Sequence, residues 1–275
     1  MKVKAREICK KIARKNAPDA PFLAVAPLNL TLKEGQITTI MGKSGSGKST
    51  LLNMLSGLLD PSEGQILLDE TDLYRLTDEE RSAFRNARFG VVPQGQTPIA
   101  TLTVLENVLL PGLLQLGNLG HGKVKRNDGG NSREKNSNEE NPETELGERA
   151  LILLEKLGID KLQNAYPKEL SGGECRRMSI ARALILNPDV IFADEPTADL
   201  DDENTQKVLK LFREYADHGA TVLLVTHDDE AVAYSDVVYD MKGGVLSTAR
   251  YNGEQNEISN IENTQNEFLQ NEFSA

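Results

Sequence analysis

The sequence predicts an α/β fold on a mostly parallel sheet, and three observations carry that expectation. First, the runs VIFAD (190–194) and TVLLVT (221–226) are almost wholly apolar. Strands buried on both faces read this way, and parallel sheets are built from them. Second, segments with helical spacing of apolar residues lie between such runs, ENTQKVLKLFREYADHG being one. Third, the β-branched run ITTIM leads into a glycine-rich stretch and then STLLNMLSGLL, a strand–loop–helix unit.

The other elements follow in order. EGQILLDE reads as a strand, and DEERSAFRNAR as an exposed helix with Thr77 as its N-cap. FGVVPQ is a strand ending at Pro93-Gln94. TVLENVLLPGLLQLG and LGERALILLEKLGI are apolar helical patterns. They flank a polar segment, His121 to Glu143, with almost no core-forming residue, which is expected to be a disordered surface insertion. SGGECRRMSIARALILN is a helix with Ser171 at its start, and Gly219 stops the helix before it. DVVYDMKGGVLS reads as a closing hairpin. The helical stretch from about 98 to 187 is expected to be a lobe inserted into the sheet domain, and residues 247–275 an acidic, disordered tail. No internal repeat is visible.

Composition narrows the function. Only 39% of the 275 residues are hydrophobic, because two polar segments dilute an ordinary core. The net charge is −11, and the last 25 residues hold five glutamates and no Lys or Arg. No basic nucleic-acid face is indicated, and no nucleic-acid partner is expected. Cys9 and Cys175 show no metal-ligand spacing, which suits a reducing compartment. The charged N-terminus lacks the apolar core of a secretory signal. The most apolar window contains Glu106, Asn107 and Pro111, so the chain is not expected to cross a bilayer by itself.

The stretch Gly42-Lys43-Ser44-Gly45-Ser46-Gly47-Lys48-Ser49-Thr50 fits G-x-x-x-x-G-K-[ST], the P-loop. Its glycines let backbone N–H groups curve around phosphates, and the following helix turns its positive end toward them. Lys48 would reach the β- and γ-phosphates, and the Ser49 hydroxyl would ligate Mg²⁺. A random chain of this length matches the pattern on the order of 1% of the time. VIFADEP then delivers Asp194 to the carboxyl end of a buried strand, where α/β ligands bind. Asp194 suits the Mg²⁺ shell, and Glu195 beside it would polarise an attacking water.

LSGGECRR (170–177) resembles the signature of ATP-binding-cassette (ABC) ATPases, a P-loop NTPase family with a RecA-like core, antiparallel N-terminal β elements and an inserted helical lobe. Ser171 precedes Asp194 by 23 residues, and Gln94, 46 residues after Lys48, matches the Q-loop. TADLD, Thr197 to Asp201, resembles the D-loop, and His227 matches the switch histidine. The resemblance covers residues 1–246 as one ATPase domain. It implies that two copies face head to tail around ATP, with Ser171, Gly172 and Gly173 of one reaching the γ-phosphate bound by the other. It also implies catalytic roles for Glu195, His227, Lys48 and Gln94, a place for Gln94 in the Mg²⁺ shell, and nucleotide contacts from Asp201.

Within the family, LTVLENVLLPGL and ADEPTADLD look like ATP-binding subunits of the lipoprotein-releasing and macrolide-export branch. That implies a separate membrane permease, a peripheral position on the cytoplasmic membrane face, and export or extraction of substrate. A cell-division-type force transmitter and a soluble, non-transport cassette remain as alternatives. Two positions depart from the family. Ile12 stands where an aromatic usually stacks on adenine, so weaker base selectivity is expected, with Phe22 a possible substitute. Glu174 replaces the commoner Gln of the signature, and little effect is expected from it.

Overall fold

The computed structural model describes residues 1–14, 17–95, 98–119, 142–247 and 250–251. The strands are β1 (Val3–Arg14), β2 (Ala17–Leu32), β3 (Ile37–Met41), β4 (Glu63–Leu68), β5 (Thr71–Asp72), β6 (Phe89–Val92), β7 (Val190–Asp194), β8 (Thr221–Thr226), β9 (Val237–Lys242), β10 (Val245–Leu246) and β11 (Arg250–Tyr251). The helices are α1 (Lys48–Leu55), α2 (Asp78–Arg88), α3 (Val104–Leu119), α4 (Pro142–Lys156), α5 (Gly172–Leu184), α6 (Asp202–Asp217) and α7 (Glu230–Tyr234). They form two compact units, one of Met1–Gly95 with Pro188–Ala275 and one of Gln96–Asn187.

The first unit holds two sheets. β2-β1-β4-β5 is antiparallel throughout. The larger sheet runs β10-β9-β3-β8-β7-β6, and its five strands from β9 to β6 are mutually parallel. As expected from their apolar runs, β3, β7 and β8 are buried at every residue. Thr39 of β3 shares a hydrogen bond with the distant Ser235 at 2.6 Å. Ile40, Leu51, Leu55, Phe192, Leu223 and Val225 belong to one apolar core with residues of the smaller sheet, such as Val3 and Ile66. Phe89 meets Phe84 and Phe192 edge-on, with ring centroids at 5.7 and 5.2 Å.

Helix ends follow their chemistry. Thr77 caps α2 in a capping box with Glu80, and no residue of α2 is buried. α6 buries Thr205, Val208, Leu209, Phe212 and Ala216 along one stripe of helical period, with Leu211 at its edge, and Gly219 at φ +99° ends it.

In the second unit α3 and α4 each lie against α5. Leu146, Ala150, Leu153, Met178, Ala181 and Leu184 are among its buried residues. Asn107 is fully buried, and its side chain satisfies the backbone of the preceding loop. It accepts from Ile99 N at 2.8 Å and donates to the carbonyls of Ile99, Leu102 and Thr103.

Three expectations need adjustment. The polar segment 121–143 ends earlier than expected, because Pro142 and Glu143 already belong to α4; proline and acids both suit a helix's first turn. The rest of that segment lies outside the described residues. The hairpin near residue 240 is more than a closing flap, since β9 also joins the main sheet parallel to β3. Of the 247–275 stretch, Ser247 hydrogen-bonds Asp240 and Arg250–Tyr251 pair with Val237–Val238. Beyond Tyr251 it lies outside the described residues. Among the described residues, no helix is long and apolar enough to cross a membrane.

Candidate nucleotide site

Parallel pairing brings most of the predicted residues to one edge. Met41 aligns with Thr226, Asp194 with Val225, and Val92 with Ala193. The P-loop therefore leaves β3, His227 leaves β8, Asp194 ends β7 beside Glu195, and Gln94 follows β6, all at the carboxyl edge of adjacent strands. Ligands of open α/β sheets bind at that edge.

The P-loop is shaped by close approach to its own scaffold. Gly47, the N-cap of α1, sits at φ +104°, and a Cβ there would stand 2.4 Å from the Ala24 carbonyl oxygen. A Cβ on Gly42 would stand 2.4 Å from the Met241 carbonyl oxygen. Both positions accept only glycine without moving backbone. Lys43, Ser44 and Gly45 are exposed, and Ser49 and Thr50 are half-buried in the first turn of α1. Ser46 Oγ is buried without a hydrogen-bond partner among the described residues. An orphaned hydroxyl in a loop at a helix N-terminus suits an anionic ligand such as a phosphate chain. The donors expected around Mg²⁺ (Ser49, Asp194 and Gln94) all offer oxygen, which suits that hard cation.

Glu195 is the hub of the site. It is 8% exposed, and its φ is +48°, a left-handed conformation that is uncommon for glutamate. Its Oε2 accepts from Thr226 Oγ1 at 2.9 Å and contacts His227 Nδ1 at 3.0 Å. Its Oε1 lies 3.6 Å from Lys48 Nζ, which also donates to the Gly42 carbonyl at 2.6 Å. The His227 side chain is 72% exposed. With Nδ1–H donating to Glu195, its Nε2 offers a proton outward only as the imidazolium.

Other predicted residues lie elsewhere. Ser171, Gly172 and Gly173 open α5 in the second unit. Ser171 Oγ donates to Glu174 Oε2 at 2.8 Å and Ser171 N to the same oxygen at 2.7 Å, completing a capping box. Glu174, expected to matter little, thus touches the signature serine directly. Asp201 is the N-cap of α6, accepting from Asn204 N at 2.8 Å. Ile12 of β1 is 36% exposed and pairs across the strands with Phe22 of β2, 42% exposed.

Sequence reasoning passed over Thr226, which bonds Glu195 directly, and Asp228, which links Thr226 to Thr197 of the D-loop match. Thr226 is a hydroxyl ending a buried strand, and Asp228 directly follows His227. Those were the available signals.

A strand–P-loop–helix beside an Asp-Glu pair at a parallel sheet's carboxyl edge defines a P-loop nucleotide-binding protein. The chain belongs to the ABC transporter family, whose model matches residues 25–198. It is similar to the lipoprotein-releasing system ATP-binding protein LolD of Aquifex aeolicus, at 38% identity over 218 residues, 79% of this chain and 86% of that one. The ABC transporter ATP-binding protein YtrE of Bacillus subtilis is 37% identical over 220 residues, 80% of this chain and 85% of that one. Among solved structures, the dimeric bacterial ABC transporter cassette MJ0796 aligns with a TM-score of 0.76 and 32% identity, covering 90% of this chain and 98% of that one. The same cassette is known as a post-hydrolysis dimer bound to ADP and Pi, again with a TM-score of 0.76 over 90% and 98% of the two chains.

Proposed function

We propose that this chain is the ATP-hydrolysing subunit of a membrane transporter of the export or extraction type, working with a separate permease at the cytoplasmic membrane face. Convergence of Lys48, Asp194, Glu195 and His227 at one sheet edge is the observation that carries the reading. Similarity to LolD and YtrE supports the transporter role.

In this reading, ATP lies along the P-loop, with Lys48 and the backbone N–H groups on its β- and γ-phosphates. Mg²⁺, when bound through Ser49, Asp194 and Gln94, supplies charge neutralisation at the phosphates. Glu195 orients a water against the γ-phosphorus and takes its proton. The new O–P bond forms as the bond to ADP's terminal oxygen breaks, leaving ADP and phosphate. General-base assistance of this kind is worth about 10²–10⁴-fold. His227 steadies Glu195 through Nδ1–H and, as the imidazolium, donates from Nε2 to the γ-phosphate.

Two copies close head to tail on ATP, with Ser171, Gly172 and Gly173 of each copy facing the nucleotide held by the other and Asp201 near the same contact. Hydrolysis removes the ligand that favours the closed pair, which is what makes ATP a switch. Gln94 passes the nucleotide state to the permease side. Ile12, with Phe22 opposite it, provides the apolar face for adenine.

The test is capture of the partner. Tagged Glu195→Gln, held closed with ATP and Mg²⁺, is purified from gently solubilised membranes. A multi-span protein at matching stoichiometry is the expected result. Recovery of ribosomes or chromosome-associated proteins instead would remove the transport assignment while leaving the ATPase chemistry intact.

A further inference from the structure

Glu195 keeps an unfavourable backbone conformation, and its immediate neighbours share the task of holding it. Left-handed φ for a non-glycine residue persists only where surroundings over-determine it. Glu195 N donates to Val225 O at 2.8 Å, and Ala198 N closes a turn onto Glu195 O at 3.2 Å. Two side chains outside the proposed chemistry complete the hold.

Thr226 is fully buried. Its hydroxyl donates to Glu195 Oε2 at 2.9 Å and accepts from Asp228 N at 3.1 Å, so it is satisfied as donor and acceptor at once. The Asp228 carboxylate works on both sides. Oδ1 accepts from Glu230 N at 2.9 Å, and Oδ2 accepts from the Thr197 hydroxyl at 2.7 Å. Thr197 is 6% exposed and lies two residues after Glu195, in a turn that holds a second left-handed residue, Asp199 at φ +64°. The end of β8 and the turn after β7 are thereby tied through Asp228, whose carboxylate takes the Thr197 hydroxyl and whose backbone N–H reaches Thr226, which in turn donates to Glu195.

We propose that Thr226 and Asp228 are positioning residues that hold the Glu195 carboxylate where it can orient the attacking water. This rests on the reading of Glu195 as the residue that activates water. Neither residue is asked to touch the nucleotide, so their loss acts on turnover and leaves binding alone. His227 keeps its own contact with Glu195 and cannot replace the hold, because its side chain is largely in solvent.

The experiment compares full-length parent, Thr226→Val, Thr226→Ser, Asp228→Ala and Glu195→Gln by phosphate release and by binding of a fluorescent ATP analogue. Valine keeps the β-branched shape and removes the hydroxyl. Thr226→Val is expected to lower kcat about ten- to a hundredfold, the scale of a misplaced catalytic group, with KM and analogue affinity within about twofold of the parent. Thr226→Ser restores the hydroxyl and is expected to return kcat to within about threefold of the parent, which a purely packing role would not do. Asp228→Ala is expected to repeat the kcat-only loss.

If Thr226→Val turns over like the parent while Glu195→Gln is inactive, the positioning role is wrong and the role of Glu195 stands. If Glu195→Gln turns over like the parent, the reading beneath it fails. Loss of analogue binding in Thr226→Val with no rescue by serine would make Thr226 structural and overturn the proposal.

Discussion

Ser171 donates its backbone N–H and its hydroxyl to one carboxylate oxygen of Glu174, and these bonds hold the Glu174 carboxyl below the ordinary glutamate range. It is therefore charged at neutral pH. In the proposed dimer that charge stands beside the segment facing a partner's γ-phosphate, where like charges repel. Glu174→Gln keeps the capping geometry and removes the charge. It is expected to lower the ATP concentration needed for dimerisation about two- to fivefold at low salt, with the gain shrinking as salt is added. Light scattering during an ATP titration reads this directly, and an unchanged midpoint would mean that the charge is irrelevant to closure. The clue is local in the sequence, because S-x-x-E is a capping-box pattern. Ile12 and Phe22, proposed to face adenine, offer exposed apolar surface from neighbouring strands. Ile12→Tyr is expected to tighten ATP binding by the roughly 0.5–1.5 kcal/mol of an aromatic stack. Tight, ATP-selective binding by the unaltered chain would contradict that assignment.

Elements were legible wherever period and punctuation agreed. The buried strands β3, β7 and β8 announced themselves by apolar runs, α2 by Thr77, and the end of α6 by Gly219. What stayed hidden depends on contacts between distant residues. α7 is only five residues long, too short to show a period. β9 reads as half a hairpin locally, and its parallel pairing with β3 is a long-range fact. Tyr74 belongs to the same class. Its hydroxyl lies 2.7 Å from both Met54 O and Leu59 O and shares its one proton between them, tying the end of α1 to the loop beyond it. Burial pushes its phenol well above the ordinary range. Tyr74→Phe leaves two carbonyls without that donor and is expected to cost about 1–3 kcal/mol in urea unfolding. The pH dependence has a definite sign. A phenol whose folded pKa is raised contributes stability that is full below its unfolded pKa of about 10 and lost as pH rises through the folded value. The stability gap between parent and Tyr74→Phe should therefore narrow above about pH 10. A gap that widens there would show that the phenol ionises more readily when folded.

At the scale of the whole molecule, the residues proposed to hold nucleotide lie at one sheet edge of the first unit, and the signature-like segment opens a helix of the second. Sequence order made both visible, since six motifs in a fixed succession are hard to produce by chance. The tie from Thr197 through Asp228 and Thr226 to Glu195 was not visible, because its members gain meaning only when β7 and β8 lie side by side. In the proposed cycle, ATP joins two copies and Glu195-dependent hydrolysis parts them. The most direct test is the molar mass of purified Glu195→Gln in solution, measured by light scattering with ATP and then with ADP, beside the parent. A dimer is expected for Glu195→Gln with ATP, a monomer with ADP, and a parent that returns to monomer as ATP is consumed. A Glu195→Gln chain that binds ATP yet stays monomeric at saturation, or that hydrolyses at the parent's rate, would contradict it.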